Sequence, residues 1–298
     1  MKSYQLQNEE IGDSALRMIK FIDLFAGIGG FHLGLLPPHY KCVAAAENDK
    51  PARKTYLANF KLKDEMFFND VNGIDLMKLP EFDLLCAGFP CQPFSNIGKG
   101  LGFSDTRGTM FYEIEKILKH SKPKILLLEN VPGLLSHNGG DTFSTIITAL
   151  TSLEYSVSYK TLLASDYGIP QNRSRVFIVG FKNNTNLFEF PAPIPLEKTL
   201  SDVLGGQCNK EIAYTLRVGG KNSPYGNRHN WDGYCVGGIN RRLTVAEGAE
   251  LQGFPKNFVF PVSKTQAFKQ LGNAVNVKVV EALGKQIINH IKTDGNKH

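Results

Sequence analysis

The chain alternates between short apolar runs and amphipathic stretches as far as residue 181. Most of the apolar runs are rich in Ile, Val, Leu and Phe and have the length of single strands, so they predict β-structure. They cover residues 19–25, 40–46, 65–71, 82–88, 124–130, 155–163 and 175–181. Helical periodicity lies between them, over residues 50–60, 108–120 and 142–153. This alternation predicts an α/β fold with a Rossmann-like, doubly wound, mostly parallel sheet.

The alternation ends after the seventh apolar run. Residues 182–240 contain clusters of Gly, Asn and Pro with only short apolar pieces between them, which predicts irregular structure. A helical pattern over residues 264–291 then returns the chain to the sheet. We therefore predict a first domain, a smaller irregular domain and a C-terminal helical return, which cover residues 1–185, 186–261 and 262–298.

The distribution of charge adds to this picture. The chain has 34 Lys and Arg residues against 28 Asp and Glu residues, a net charge of +6. Residues 171–242 carry +5 of that charge, with ten basic and five acidic residues. Such a stretch is typical of a surface that faces a polyanion, although a solvated basic face would have the same composition.

The cysteines indicate a reducing compartment. The chain has five of them, none in a Cys-x-x-Cys pair, so we expect no disulfide framework and a cytoplasmic location. The sequence shows no signal-peptide pattern and no apolar run near the roughly 18 residues of a membrane span, so no membrane association is expected. The predicted site residues include no metal ligands.

The first predicted strand leads into a glycine-rich turn at residues 25–31. Ligands of an open parallel sheet bind beyond the carboxyl ends of the strands, and glycines at this turn let the backbone approach a ligand. Glu47, which ends the second run, is placed to accept hydrogen bonds from ribose hydroxyls. Asp70, in the third, is placed to accept from an adenine amino group. The turn departs from Gly-x-Gly-x-x-Gly, and this segment alone leaves a nicotinamide or flavin enzyme open.

Eight sequence blocks settle this question by resemblance. In their order and amino-acid sequence they resemble the DNA cytosine-5 methyltransferases, in particular the bacterial type II modification enzymes, from residue 21 to residue 291. The blocks are DLFAGIGGF (23–31), ENDK (47–50), NDV (69–71), GFPCQPFS (88–95), ENV (129–131), QNRSR (171–175), RRLTVAEGAELQGFP (241–255) and LGNAVNV (271–277). The resemblance implies the class I methyltransferase fold, S-adenosylmethionine as cofactor and double-stranded DNA as partner.

The resemblance also assigns a mechanism to three residues. Cytosine C5 becomes nucleophilic when a thiolate adds to C6, and Cys91 is the implied nucleophile because a thiolate is strongly nucleophilic. Glu129 is implied to contact N3 and the exocyclic amino group, and for this its pKa must be raised. Arg175 is implied to reach the O2 side of the base. Because C5 and C6 of a paired cytosine lie within the base stack, the cytosine must be flipped out.

Further contacts follow from the same blocks. The implied cofactor-binding residues are Phe25, Gly27, Gly29, Gly30, Glu47, Asn48, Asp70, Pro90, Asn273 and Ala274. The expected substrate-binding residues are Gln92, Ser95, Ile97, Arg173, Arg217 and Arg228. Gln171 and Arg173 are also expected to brace the catalytic loop or the backbone. Ala274 stands where the family commonly has serine, so a cofactor contact there would pass through the backbone or Asn273.

Residues 186–261 correspond to the family's target-recognition domain, which is too variable for roles to be transferred. Arg217 and Arg228 are chosen because they lie beside glycines and turn formers and because arginine suits the major-groove edge of guanine. A phosphate contact is equally open for both. Trp231 is expected in the core of this domain, and residues 241–255 are expected to orient its loops.

Three alternatives were weighed against this interpretation. A transfer-RNA type methyltransferase with the same fold would carry Cys-Phe-Thr, whereas Cys208 is followed by Asn-Lys and Cys235 by Val-Gly. An inactive DNA-binding relative would not need Cys91, Glu129 and Arg175 together. A nicotinamide oxidoreductase gives no reason for the Pro-Cys-Gln sequence. We expect a monomer in a restriction-modification system, with a cognate endonuclease acting on the same site without forming a stable complex.

Overall fold

The computed structural model describes residues 17–90, 110–184, 186–196, 198–219, 222–225, 227 and 229–295. Five predicted site residues lie outside the described residues, and they are Cys91, Gln92, Ser95, Ile97 and Arg228.

Each of the seven predicted apolar runs corresponds to a strand, whereas β7, β9, β10 and β11 lie outside these runs. The strands are β1 Ile19–Leu24, β2 Tyr40–Ala46, β3 Phe67–Phe68, β4 Leu84–Gly88, β5 Ile125–Asn130, β6 Tyr155–Leu163, β7 Gln171–Asn172, β8 Ser174–Lys182, β9 Ala213–Tyr214, β10 Gly233–Val236 and β11 Ile239–Arg242. The α-helices are α1 Gly30–Gly34, α2 Lys50–Asn59, α3 Met110–Ser121, α4 Asp141–Ser152, α5 Leu200–Leu204, α6 Val245–Leu251, α7 Lys264–Asn273 and α8 Val277–Gly295.

Seven strands form one sheet in the order β3-β2-β1-β4-β5-β8-β6. Strands β1 to β5 pair in parallel, whereas β8 runs antiparallel to both β5 and β6. The predicted mostly parallel, doubly wound sheet is therefore confirmed. The chain builds outward from β1 in one direction and from β4 in the other, so the strand order reverses between them. Such a switch point is where doubly wound sheets bind their ligands.

The edge strand β3 is shorter than the run that predicted it. Only two residues pair with β2. Asp64–Met66 forms a 3-10 turn before the strand, and the carboxylate of Asp70 accepts a hydrogen bond from the backbone N–H of Asn72 to begin another turn after it. These local turns compete with strand pairing at both ends of the predicted run.

The two faces of the sheet are covered by different helices. Phe21 and Cys86 belong to a core that contains Leu283 of α8. Ile22 belongs to a core that contains Ile114 of α3. This division follows from the alternation of side chains along a strand, which sends neighbours to opposite faces. Cys86 is fully buried, as expected for a cysteine inside an apolar run.

The helical pattern over residues 264–291 folds as two helices and not as one. The side-chain oxygen of Asn276 accepts hydrogen bonds from the backbone N–H groups of Lys278 and Val279, at 3.1 and 3.3 Å. Asn276 is therefore the N-cap of α8, and an N-cap residue has non-helical backbone angles. The separation turns the chain between α7 and α8, which places the residues at the end of α7 beside the sheet.

Residues 186–261 contain short elements, as predicted. Trp231 is fully buried and packs 5.8 Å from the ring of Phe268 in α7, which confirms its expected core position. The same core cluster includes Ile28 and Ala52, at the beginnings of the segments that follow β1 and β2. The core of this region is thus continuous with the carboxyl end of the sheet. No helix among the described residues is long and apolar enough to cross a membrane.

Candidate active site

A pocket of about 410 Å³ opens at the carboxyl ends of β1, β2, β4 and β5. The end of α7 forms one further wall. Fifteen of its described lining residues belong to the sequence blocks, and they are Phe25, Gly27, Ile28, Glu47, Asn48, Asp49, Gly88, Phe89, Pro90, Glu129, Asn130, Val131, Arg175, Gly272 and Asn273. The structure therefore brings residues of six of the eight blocks together in one pocket.

The turn after β1 presents its backbone to this pocket. Phe25 and Gly27 both have left-handed backbone conformations, with φ of 55° and 56°. A Cβ atom placed on Gly27 would meet no other atom within 4 Å, so this glycine faces open space. Its N–H donates to Glu47 Oε2 at 2.7 Å. The turn thus leaves room for a ligand directly beside the carboxylate that ends β2.

Glu47 is held in place by two backbone donors. Besides the N–H of Gly27, the N–H of Asp49 donates to Oε1 at 2.7 Å. Burial raises the pKa of this carboxyl group, and the two backbone hydrogen bonds oppose the increase. Each carboxylate oxygen has a further lone pair. Glu47 is therefore fixed in orientation and retains acceptor capacity at the pocket wall.

Two of the predicted cofactor-binding glycines, Gly29 and Gly30, have a packing role. A Cβ atom on Gly29 would lie 2.2 Å from the ring of Phe60, and one on Gly30 would lie 2.5 Å from the carbonyl oxygen of Val275. Neither glycine is among the residues that line the pocket. The close packing of α1 against its neighbours therefore favours glycine at both positions, and their contact with the cofactor stays a prediction.

Two other predicted cofactor contacts lie outside the pocket lining. The carboxylate of Asp70 accepts hydrogen bonds from the backbone and the side-chain amide of Asn72. Ala274 is buried, and its N–H and carbonyl group are bonded to Gln270 and Arg173. The contact of Asp70 with an adenine stays a prediction. The N–H of Ala274 is already bonded and its carbonyl oxygen is buried, whereas Asn273 is the exposed donor of that block.

A buried acid and an arginine form the opposite end of the pocket. Glu129 ends β5, and its Oε1 lies 3.0 Å from Nε of Arg175 on β8. Gly88 of β4 borders this carboxylate, since a Cβ atom there would lie 3.6 Å from Glu129 Oε2, an ordinary van der Waals contact. Burial raises the pKa of Glu129, while the neighbouring Arg175 and Arg173 lower it by less. The raised pKa lets this carboxyl group carry a proton closer to neutral pH than an exposed glutamate does.

Asn130 has a positioning role that the sequence did not reveal. Its side-chain amide donates to the carbonyl oxygen of Phe89 at 2.8 Å, and its oxygen accepts from the N–H of Val131. Asn130 is buried, so these bonds are shielded from water. They fix the exit of β4 two residues before Cys91. The Glu-Asn-Val block contained this residue, but no periodicity marks an amide that bonds to a neighbouring loop.

Arg173 lies in the interior and not on a surface that DNA could reach. Its side chain is 2% exposed, and its guanidinium donates to the carbonyl oxygens of Leu216, Gly272 and Ala274. These bonds agree with the expected bracing of the backbone, whereas the predicted direct contact with substrate is wrong for a side chain in this position.

The loops of the irregular region are held by an arginine of the block at residues 241–255. The guanidinium of Arg242 donates to the side chains of Asn230 and Asp232 and to the carbonyl of Ser223, and it stacks 4.6 Å from the ring centre of Tyr225. Sequence reasoning assigned residues 241–255 to a scaffold that orients loops, and these contacts support that role. They also identify the particular arginine, which composition alone does not.

Arg217 is exposed at the start of these loops. Its guanidinium donates one hydrogen bond, at 3.2 Å, to the carbonyl oxygen of His229. The remaining N–H groups are available to solvent or to an anion. Within the described residues, no group of three or more His, Cys, Asp or Glu side chains is arranged to hold a metal ion.

The fold and the site together define a class of protein. A crevice at the switch point of a doubly wound sheet, with an acid at the end of the second strand, is typical of enzymes that bind a nucleoside cofactor. The buried Glu129–Arg175 pair at the other end of the crevice adds a group that can hold a proton beside that cofactor.

Comparison with known proteins identifies the family within that class. A family model described as C-5 cytosine-specific DNA methylase matches residues 19–222 and 207–289. The type II methyltransferase M.DsaV of Dactylococcopsis salina is 39% identical over 92% of this chain and 87% of its own length. M.NgoBI of Neisseria gonorrhoeae is 42% identical over 90% of this chain and 92% of its own. The chain therefore belongs to the C-5 cytosine-specific DNA methylase family.

Structural similarity supports the same fold. The solved structure of the methyltransferase EhMeth of Entamoeba histolytica has a TM-score of 0.74, with coverage of 93% of this chain and 99% of that chain. At 19% identity, this likeness shows the fold alone. The family membership confirms the resemblance drawn from the eight blocks, and with it an activity that transfers a methyl group to cytosine C5 of DNA.

Proposed function

We propose that the protein is a site-specific DNA methyltransferase that uses S-adenosylmethionine, flips its target cytosine out of duplex DNA and attacks C6 with Cys91. The observation that carries this proposal is a single pocket that contains two carboxylates with different hydrogen-bond partners. Glu47 is fixed by backbone donors at one end, and Glu129 is paired with Arg175 at the other. A cofactor and a base can therefore meet in the same cavity.

The residues at the first end fit S-adenosylmethionine. The open space beside Gly27 accommodates the cofactor without a side-chain clash, and the free lone pairs of Glu47 suit ribose hydroxyls. Asn273, which is exposed at the α7 wall, offers a side-chain amide to the polar amino-acid end. When bound, S-adenosylmethionine supplies an electrophilic methyl group. The residues of this chain bind it, orient it and exclude water.

The residues at the other end fit a flipped cytosine. The thiolate of Cys91 adds to C6, which makes C5 nucleophilic and lets it take the methyl group. Glu129, whose pKa is raised by burial, supplies a proton toward N3, where negative charge develops as C6 is attacked. Arg175 holds Glu129 and reaches the O2 side. A base then removes the C5 proton, and the C6–sulfur bond breaks to release Cys91.

The relatives support a proposal for the partner and the context. M.DsaV and M.NgoBI are named as type II methyltransferases. For this chain we propose the corresponding role, as a cytoplasmic monomer that protects duplex DNA at one sequence against a cognate endonuclease. The positive charge concentrated in residues 171–242 supports a DNA-facing surface there.

Transfer of a labelled methyl group tests the proposal. The protein is incubated with methyl-labelled S-adenosylmethionine and either duplex DNA or transfer RNA. We expect label in DNA only, and bisulfite sequencing of DNA from expressing cells should place it at cytosines within one sequence. Label in transfer RNA would support the RNA-methyltransferase alternative, and no label in either would support an inactive relative.

A further inference from the structure

One short segment of the irregular region is held by the block that precedes β8. The backbone of Leu216, which is fully buried, is bonded on both sides. Its N–H donates to Gln171 Oε1 at 3.1 Å, and its carbonyl oxygen accepts from Arg173 at 3.2 Å. Gln171 is also fully buried and donates to the carbonyl oxygen of Leu251 at 2.5 Å. Gln171 in β7 and Arg173 directly after it thus fix the position of Leu216.

The same guanidinium reaches the wall of the active-site pocket. Arg173 donates to the carbonyl oxygens of Gly272 and Ala274, at 3.1 and 2.7 Å. All three of its hydrogen bonds go to neutral carbonyl groups. A buried cation is costly, and because its Nε has no partner, the stabilisation of this guanidinium depends on these carbonyl groups, which holds the segments at residues 216 and 272–274 together around it. The geometry of one depends on the geometry of the other.

Direct backbone packing strengthens this connection. A Cβ atom on Gly272 would lie 2.7 Å from the carbonyl carbon of Arg217 and 2.9 Å from the backbone nitrogen of Val218. Gly272 and its neighbour Asn273 line the pocket. The backbone at Arg217, where the loops toward His229 begin, therefore rests on the pocket wall without a side chain between them.

We propose that Gln171 and Arg173 are positioning residues that couple the cofactor pocket to the DNA-reading loops, so that cofactor and cognate DNA strengthen each other's binding. The proposal rests on the proposed function, because it takes residues 186–261 as the DNA-reading region. A ligand that orders the wall at Gly272 also orders the start of the loops at Arg217, and the converse holds. Coupling of this kind is reciprocal, so either ligand can be used to measure it.

The test measures how DNA changes cofactor affinity. S-adenosylhomocysteine, which lacks the transferable methyl group, is titrated calorimetrically with and without a duplex that contains the sequence mapped by bisulfite sequencing. For the wild type we expect the duplex to tighten binding roughly 5-fold or more, the usual scale of coupling between sites. A scrambled duplex should tighten it less.

Three variants examine the junction. Gly272→Ala should reduce the coupling to less than about 2-fold, because its methyl group displaces the backbone at Arg217. Arg173→Lys should do the same, because a single ammonium group cannot keep all three carbonyls in place. Gln171→Met removes both hydrogen bonds of the amide while keeping a side chain of similar size, and it should reduce the coupling in the same way. Gly133→Ala is the matched control, since a Cβ there meets nothing within 4 Å and Gly133 lies outside the DNA-reading region, and it should keep the coupling of the wild type.

The outcomes separate this inference from the proposed function. A wild type that methylates DNA but shows no coupling would overturn the inference alone. So would coupling of wild-type size in the variants that keep the circular dichroism spectrum of the wild type. The wild-type measurement decides the matter even where a variant does not fold. A protein that transfers no label to DNA overturns the proposed function first.

Discussion

Two carboxylates share one pocket, and their partners give them different tasks. Glu47 accepts two backbone hydrogen bonds, which hold the charged form in one orientation. Glu129 is buried beside Arg175, and its pKa is raised by burial despite that neighbour. The first is suited to bind a polar ligand and the second to move a proton. Both tasks depend on contacts of single side chains and can be tested one residue at a time.

Glu129→Gln should reduce kcat by roughly 10²- to 10⁴-fold, the usual contribution of a general acid or base. The affinity for S-adenosylhomocysteine should change little, because the carboxyl group faces the base end of the pocket. Steady-state kinetics with a duplex substrate and calorimetry check both statements. Glu113→Gln is the matched control, because Glu113 lies on α3 and pairs with Lys116 away from the pocket. An unchanged kcat in Glu129→Gln would remove this residue from the mechanism.

The raised pKa of Glu129 predicts the direction in which stability and kcat change with pH. The folded protein binds the proton more tightly than the unfolded chain, so the contribution of this group to stability is complete below the unfolded pKa. It is lost as the pH rises through the higher folded pKa. The protonated form is also the one that donates to N3, so kcat should fall over the same rise in pH. In Glu129→Gln this titration should be absent from the pH profiles of both quantities.

Glu47→Ala should weaken cofactor binding by about 1–3 kcal/mol, the cost of leaving buried hydroxyl groups without acceptors. The variant also frees the N–H of Gly27, which adds to the loss. Calorimetry with S-adenosylhomocysteine measures the change, and the exposed Glu65 of the 3-10 turn at Asp64–Met66 offers Glu65→Ala as a control. Equal affinity in Glu47→Ala and the control would contradict the placement of the cofactor beside β2.

At the scale of elements, the apolar runs predict the strands of the central sheet because each run corresponds to one of them. The pattern fails where polar side chains decide the outcome. Asp70 ends the third run early by bonding to Asn72, and Asn276 divides the last helical pattern by capping α8. Such bonds depend on single residues and leave the hydrophobic period unchanged. The pocket residue Asn130 escaped prediction for the same reason.

Asn276→Ala should lower the free energy of unfolding by about 1–2 kcal/mol, the usual loss for an N-cap. The side chain is also buried and within hydrogen-bonding distance of Gln252, which places the expected effect toward the upper end. Urea denaturation measures the difference. Asn289→Ala, at an exposed position within α8, is the control and should change stability much less. Equal stability of the two variants would mean that α8 does not depend on this cap.

The whole molecule joins its parts through a shared core. Residues of the irregular region pack with Phe268 on α7 and with Ile28 beside the pocket. The proposed DNA-reading loops and the wall of the cofactor pocket therefore pack against the same hydrophobic core. The sequence predicted the two regions from a change of pattern. It did not predict their junction, because the contacts of Arg173 join segments that lie 43 and 99 residues away along the chain.

The concentration of positive charge leads to a prediction for the whole surface. DNA affinity should fall steeply with salt, with a log–log slope of about −0.9 for each phosphate contact. If exposed Arg217 contacts a phosphate, Arg217→Ala should weaken binding to every sequence and flatten the slope by about one unit. If it contacts a base, the loss should be about 1–3 kcal/mol and confined to the cognate sequence. Binding isotherms at several salt concentrations, with Lys285→Ala on α8 as control, distinguish these results. No change in affinity, slope or specificity would exclude Arg217 from the DNA surface.

The central claim is covalent attack on cytosine by Cys91, and trapping with 5-fluorocytosine tests it most directly. Fluorine at C5 cannot leave as a proton does, so the adduct between enzyme and DNA persists after methyl transfer. The wild type and Cys208→Ser should form this adduct with S-adenosylmethionine and a duplex carrying 5-fluorocytosine at the mapped site, and peptide mass spectrometry should place it on Cys91. Cys91→Ser should bind S-adenosylhomocysteine normally but form no adduct and methylate no DNA. An adduct on another cysteine, or methylation by Cys91→Ser, would contradict the account.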